Sequence, residues 1–280
     1  MFKYMKKIGL SALLALAFLT GCGDGGEKQA QLHLQKAEQA LLLENFNEAK
    51  LQIDSIKVLN PKAFEARKKG IKLMQQVDLK EQTKTLAYLD SALLVKQAQL
   101  DSIKGNFVLE KDTAYQDIGN YFYPTQTVEK SLGRSFLRGQ VSELGEMSLT
   151  SIYCAGGKLN HTSVKVSVGE LFAETPMSKD SYETTDLGKT IEKSDYKVGE
   201  DGGVVGFIIA NQDKNIQLQF VGDKTYRTAM HKNDRKAIVE LAELARILSG
   251  MEEIRKQQKE ASLKIQFVSR KIEEAKLQQE

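Results

Sequence analysis

A chain of 280 residues is long enough for two modest domains or for one domain with long helical extensions. Its 41% hydrophobic and 28% charged content excludes the aliphatic-poor, charge-lopsided composition of a disordered chain. The 40 basic and 37 acidic residues give a net charge of +3, but Lys3, Lys6 and Lys7 precede residue 22 and no acid does; without them 37 face 37, which removes the electrostatic argument for a nucleic-acid binder, since that would need a basic face. Only Cys22 and Cys154 occur, so a disulfide framework is excluded by count, although an oxidising compartment is not. Tryptophan is absent and there are three prolines, which argues against an aromatic-lined sugar platform.

The amino terminus is basic at Lys3, Lys6 and Lys7, apolar from Ile8 to Leu19, and then small and polar, which is the layout of a secretion signal. The apolar stretch falls short of the roughly 20 residues a stable span needs. Its end, Leu19-Thr20-Gly21-Cys22, resembles the lipobox of bacterial lipoproteins. That resemblance implies cleavage before Cys22, lipid on its thiol and an acyl chain on its freed amine, with residues 1–21 as signal peptide; an ordinary signal peptide and a retained span are the competing outcomes. Two or three acyl chains anchor a protein stably where one does so only marginally. Gly23-Asp24-Gly25-Gly26 then opens a flexible tether over residues 22–28. By resemblance to Gram-negative lipoproteins, the absence of aspartate directly after Cys22 implies the outer membrane, with either face open.

Residues 29–106 are expected to be helical. From Gln29 to Lys57 strong helix formers run without glycine or proline, and Asn45 in Leu43–Ala49 predicts a turn between two helices. Ala37, Phe46, Glu48-Ala49, Leu59 and Pro61 give the unit Ala30–Ala63 a resemblance to one degenerate tetratricopeptide repeat, with His33, Lys36 and Ala40 departing from the pattern. One repeat cannot bury its own apolar face, so a helical hairpin that simply packs is the alternative. A long helix follows over about 63–104, with Leu86, Leu89, Leu93, Leu100 and Ile103 at three-and-four spacing.

Residues 107–231 read as β-rich. Alternation marks Ser148–Tyr153, Ser163–Val168 and Asn215–Phe220; Val204–Ala210 reads as a strand covered on both faces, and Val221–Lys224 as a hairpin turn. Eight or more short strands predict an antiparallel β-sandwich or small barrel. Residues 232–280 form a second long helix whose stripe of Leu244, Ile247, Met251, Ile254, Gln258, Ala261, Ile265, Val268, Ile272 and Ala275 is a coiled-coil seam.

Candidate chemistry is sparse. Cys154 and His161 flank a glycine-containing loop, and a thiolate beside an imidazole is a possible nucleophile, though a buried structural thiol is the plainer reading. Gly199-Glu200-Asp201-Gly202-Gly203 offers carboxylates without the spacing of a calcium loop and reads as a solvated turn. His33, His161 and His231 are scattered and carry no zinc motif. Asp180–Asp186 reads as an exposed loop or as a recognition surface through Tyr182.

The expected fold is therefore α+β: long N- and C-terminal helices paired as an antiparallel coiled-coil-like stalk, with the β domain inserted between them. The expected protein is lipid-anchored in the cell envelope and non-enzymatic, with Cys22 as its lipidation site, no catalytic residue, no metal or other cofactor, and no nucleic acid. Its helices would present the β domain to a protein partner, with self-association through the C-terminal helix as an option. The alternative is a ligand-binding or hydrolytic β domain that the helices merely support, and a further one is capture of a partner helix on Leu86, Leu89 and Leu93.

Overall fold

The computed structural model describes residues 25–127, 133–186 and 188–277. The expected signal peptide and the lipobox-like stretch with Cys22 lie outside them. The fold is mixed helix and sheet, with long helices and two antiparallel sheets. It divides into two compact units: residues 1–88 with 258–280, and residues 89–257. Both cuts fall inside long helices rather than at the composition changes near 107 and 231.

The first unit is built from α1 (Gly25–Leu42), α2 (Phe46–Leu59), the start of α3 (Phe64–Ile103) and the end of the C-terminal helix. Helix α1 already begins at Gly25, so residues 25–28, read as tether, form its first turn. The α1–α2 turn uses Glu44 at φ +56°, and Asn45 Oδ1 accepts the Glu48 N–H at 3.3 Å as a helix cap. Small side chains let the helices approach: Ala30, Ala37, Ala49 and Ala66 are fully buried among Leu34, Ile53, Ile56, Leu73 and Val77. Glu44 also receives Lys80 at 3.3 Å and Lys84, both on α3.

The second unit carries both sheets. The larger has order β1-β2-β3-β4-β8-β7, from strands Val108–Glu110, Asn120–Phe122, Phe136–Ser142, Met147–Ala155, Lys189–Lys197 and Ser181–Asp186 in that spatial order. The smaller has order β10-β9-β5-β6, from Thr225–Ala229, Gln217–Val221, Ser163–Val168 and Leu171–Glu174. One core joins Leu137, Val141 and Leu149 of the first sheet to Val164, Val166, Leu218 and Phe220 of the second. Helix α5 (Lys232–Leu277) adds Ile238, Leu241 and Leu244 at 0% exposure, each stabilising by about 1.5–3 kcal/mol. Gly139 admits α5 against β3, since a Cβ there would lie 2.9 Å from Leu241 Cδ1. Gly145, at φ +83°, turns the β3–β4 hairpin so close to α5 that a Cβ would meet Ser249 N at 2.1 Å.

The long helical stripes are covered. Leu89 and Leu100 are buried and Leu86, Leu93 and Ile103 half-buried. All ten stripe positions from Leu244 to Ala275 are likewise buried or half-buried.

Two local expectations are corrected. Val204–Ala210 is a helix, α4, not a strand. A short apolar run carries no period that separates the two, and Asp201 decides it: its carboxylate accepts the Val205 N–H at 2.8 Å and the Gly199 N–H at 3.2 Å, capping the helix. Asp180–Asp186 is not a loop, because Ser181–Asp186 pairs along β8 as the edge strand β7.

Candidate functional site

Inward-facing polar residues of β4 and β8 build the most chemically organised site. Pairing sets Ser151 opposite Ser194 and Tyr153 opposite Glu192, and alternation turns all four side chains to the core face. Between β4 and β5 the chain passes through Leu159, Asn160 and His161, with Asn160 at φ +51°. That twist aims three successive backbone N–H groups at Glu192: Leu159 at 2.6 Å and Asn160 at 2.9 Å donate to Oε1, and His161 at 2.8 Å donates to Oε2. Such a concavity of amides is a ready-made anion site, and here the anion belongs to the protein.

The His161 ring continues the chain of bonds. Its Nδ1 lies 3.0 Å from Glu192 Oε2 and its Nε2 lies 2.8 Å from Ser151 Oγ. Burial acts against charge on Glu192, but the N–H donors of His161 and Leu159, the imidazole and the Asn160 N–H together hold its pKa below the usual carboxylate value. An ionised carboxylate only accepts, so Nδ1 carries the ring proton and donates, and Nε2 accepts from the Ser151 hydroxyl. Burial lowers the His161 pKa against the opposing pull of Glu192, and the ring stays neutral. Phe220 meets the imidazole edge-on at a centroid distance of 5.4 Å, and Tyr153 at 6.2 Å.

Serine, neutral imidazole and carboxylate in this order form the relay of an activated nucleophile. Access is what it lacks: Ser151 and the His161 side chain are 0% exposed and the Glu192 side chain is 5% exposed. Around the relay, Ser194 Oγ donates to His161 O at 3.0 Å and Tyr196 Oη donates to Thr162 O at 3.0 Å. These bonds fasten strands of the larger sheet to the segment entering β5 of the smaller one. The nearest chemical description is a polar rivet through the core.

A second buried cluster lies at the start of α5. Asp234 accepts from Arg134 Nη1 at 2.6 Å, Arg134 Nη2 at 2.9 Å and Gln126 Nε2 at 3.0 Å. Gln126 in turn donates to Leu137 O and accepts the Gly139 N–H, each at 3.0 Å. Elsewhere in this unit a cleft of about 760 Å³ is lined by Gln140, Lys197, Ile209, Ala242, Arg246 and neighbours, with none of Ser151, His161 or Glu192 among them. Arg246 is engaged by Glu243 at 2.5 and 2.8 Å.

Cys154 and His161 are not brought together. Cys154 follows Tyr153 on β4 and so faces the opposite side of the sheet, and its backbone N–H donates to Ser135 Oγ at 2.9 Å. His33 Nδ1 lies 2.6 Å from Gln52 Oε1 in the first unit, and His231 Nδ1 accepts the Asn233 N–H at 3.2 Å. Asp201 is a buried cap, not a solvated turn residue. Among the described residues no group of three or more His, Cys, Asp or Glu is placed to hold a metal ion. Ser151 and Glu192 were missed in the sequence because β8 is polar on both faces, and nothing in Lys189–Lys197 distinguishes an inward glutamate from an outward one. No family model, curated protein or solved structure matches this chain.

Proposed function

We propose that this protein is a lipid-anchored component of the bacterial cell envelope, in the outer membrane, that acts as a non-enzymatic interaction or structural module. Lipid on Cys22 fixes the amino terminus, α3 and α5 pair as an antiparallel coiled-coil-like stalk, and the two sheets form a sandwich that meets a protein partner. The covered stripes of both helices support the stalk, and the core common to both sheets supports the sandwich.

The observation that carries the interaction reading is the set of exposed apolar side chains on the edge strand β6. This strand has a single neighbour in its sheet, and Leu171 and Phe172 are 64% and 58% exposed there, with Met177 at 73% just beyond. Leu171 and Phe172 face opposite sides of the strand, and Lys165 Nζ lies 3.7 Å over the Phe172 ring; exposed apolar side chains on an edge strand are suited to accept another chain. The test is site-specific photocrosslinking at Leu171 in intact cells, with and without Phe172→Lys. A discrete adduct is expected, weakened at least about tenfold by Phe172→Lys, as for an aromatic anchor; an adduct indifferent to Phe172→Lys, or none, refutes the partner surface. In the same cells Cys22→Ala abolishes lipid labelling and releases the protein, whereas persistent labelling contradicts the anchor.

The Ser151–His161–Glu192 relay favours one second reading, a hydrolytic β domain. An activated serine must be reachable to react. The closed geometry leads to the expectation that a fluorophosphonate probe leaves Ser151 unmodified in the native protein, and stoichiometric labelling that Ser151→Ala removes would establish the hydrolase instead.

A further inference from the structure

The turn between α2 and α3 breaks the usual distribution of apolar side chains. Val58 and Leu59 end α2 and Phe64 begins α3, and they are 72%, 58% and 71% exposed. Pro61 and Lys62 lie between them; Lys57, Lys62 and Lys68 are exposed cations nearby in sequence, and Glu65 beside Phe64 is an exposed anion. The core of this unit is filled by other residues of the same helices, so these three side chains serve no packing role within it.

The position of the turn identifies its occupant. Helices α1 and α2 run in opposite directions, which returns the end of α2 to the start of α1: Glu27 Oε1 accepts the Ala66 N–H at 3.0 Å, and a Cβ on Gly26 would lie 3.8 Å from Asn60 Oδ1. Cys22 is three residues before Gly25, a reach of roughly 10 Å even when extended. If acyl chains sit on Cys22, the start of α1, against which the turn lies, is held within about that distance of the headgroups.

We propose that Val58, Leu59 and Phe64 dock into the bilayer interface as a second membrane contact, with the nearby lysines on anionic headgroups; this rests on the lipid-anchor reading. An aromatic and two aliphatic side chains, with three exposed lysines against one exposed glutamate close by in sequence, match the apolar acyl boundary and the charged layer above it. Tethering so close to the surface makes the contact intramolecular in effect, so a weak apolar patch suffices. The consequence is orientation: lipid alone leaves the body free to swivel, and a second contact fixes the direction in which the helical unit leaves the membrane.

The absence of tryptophan makes the test direct. Full-length lipidated protein carrying Phe64→Trp, or Val58→Trp, is reconstituted into phosphatidylethanolamine–phosphatidylglycerol vesicles with brominated acyl chains. Leu43→Trp is the control: Leu43 is 82% exposed at the other end of α1, an 18-residue helix, and so roughly 27 Å away along its axis. Quenching at positions 58 and 64 at least about threefold that at position 43 is expected for side chains about 5–10 Å into the interface. Equal quenching at all three positions in a protein whose mass confirms acylation overturns the docking surface alone, including the case where another protein covers the turn. A purified chain whose mass shows no acyl group overturns the anchor reading, and the docking surface with it.

Discussion

Glu192→Ala is expected to destabilise the β-rich unit by about 3–5 kcal/mol, because it strips the acceptor from two buried backbone N–H groups, the part-buried Asn160 N–H and the His161 ring in one step. The Leu159 and His161 donors have little water to turn to, being 4% and 2% exposed, whereas the exposed Asn160 regains hydration. Two units need not unfold together, so the change should be followed by near-ultraviolet tyrosine signals from Tyr153 and Tyr196, which lie beside the relay. A denaturation midpoint within error of the unsubstituted chain would show that the relay contributes nothing to holding the unit together.

The same relay makes stability fall on the acid side. Both pKa values are lowered in the folded chain, so the unfolded chain takes up each proton at a higher pH than the native one. The histidine contribution is complete above its ordinary value of 6.5 and is lost as pH falls through the lower folded value; the carboxylate contribution is lost similarly below 4.5. Denaturation midpoints measured from pH 7.5 downward should therefore decline from about pH 6.5, and His161→Gln should flatten the upper part of that slope.

Asp234→Ala is the second large effect, expected at about 2–4 kcal/mol. Asp234 is 2% exposed and binds both Arg134 and Gln126, whereas the Arg134 side chain is 34% exposed and regains some hydration when abandoned. Loss should extend past the ion pair, because Gln126 holds both Leu137 O and the Gly139 N–H of β3. Asp234 also lies in the first turn of α5, where a negative charge meets the positive end of the helix dipole. Hydrogen exchange at the Gly139 amide is the measurement, and unchanged protection there would sever the cluster from the strand.

Local pattern carried the helices because their signals repeat many times. Gln29–Lys57 lacks helix breakers, Asn45 has a side chain that caps, and the stripe from Leu244 to Ala275 recurs long enough to outlast any single exception. The alternations at Ser148–Tyr153 and Ser163–Val168 likewise lie within β4 and β5. Val204–Ala210 failed for the opposite reason, being seven residues of apolar sequence whose helical state depends on the Asp201 carboxylate just ahead of it.

By itself the sequence determined the α+β class, the placement of the long helices and the region of short strands, since these follow from periodicity and turn chemistry within a few residues. It also supplied the reasoning for Cys22, which is a matter of local motif alone. Only the tertiary structure decided which polar residues share a site. Ser151, His161 and Glu192 are up to 41 positions apart and meet because β4 pairs with β8 and a left-handed Asn160 turns three amides onto one carboxylate. Cys154, closer to His161 in sequence, is kept from it by a strand's alternation between faces. Proximity among distant side chains is a property of strand register and burial, and no local spacing records it.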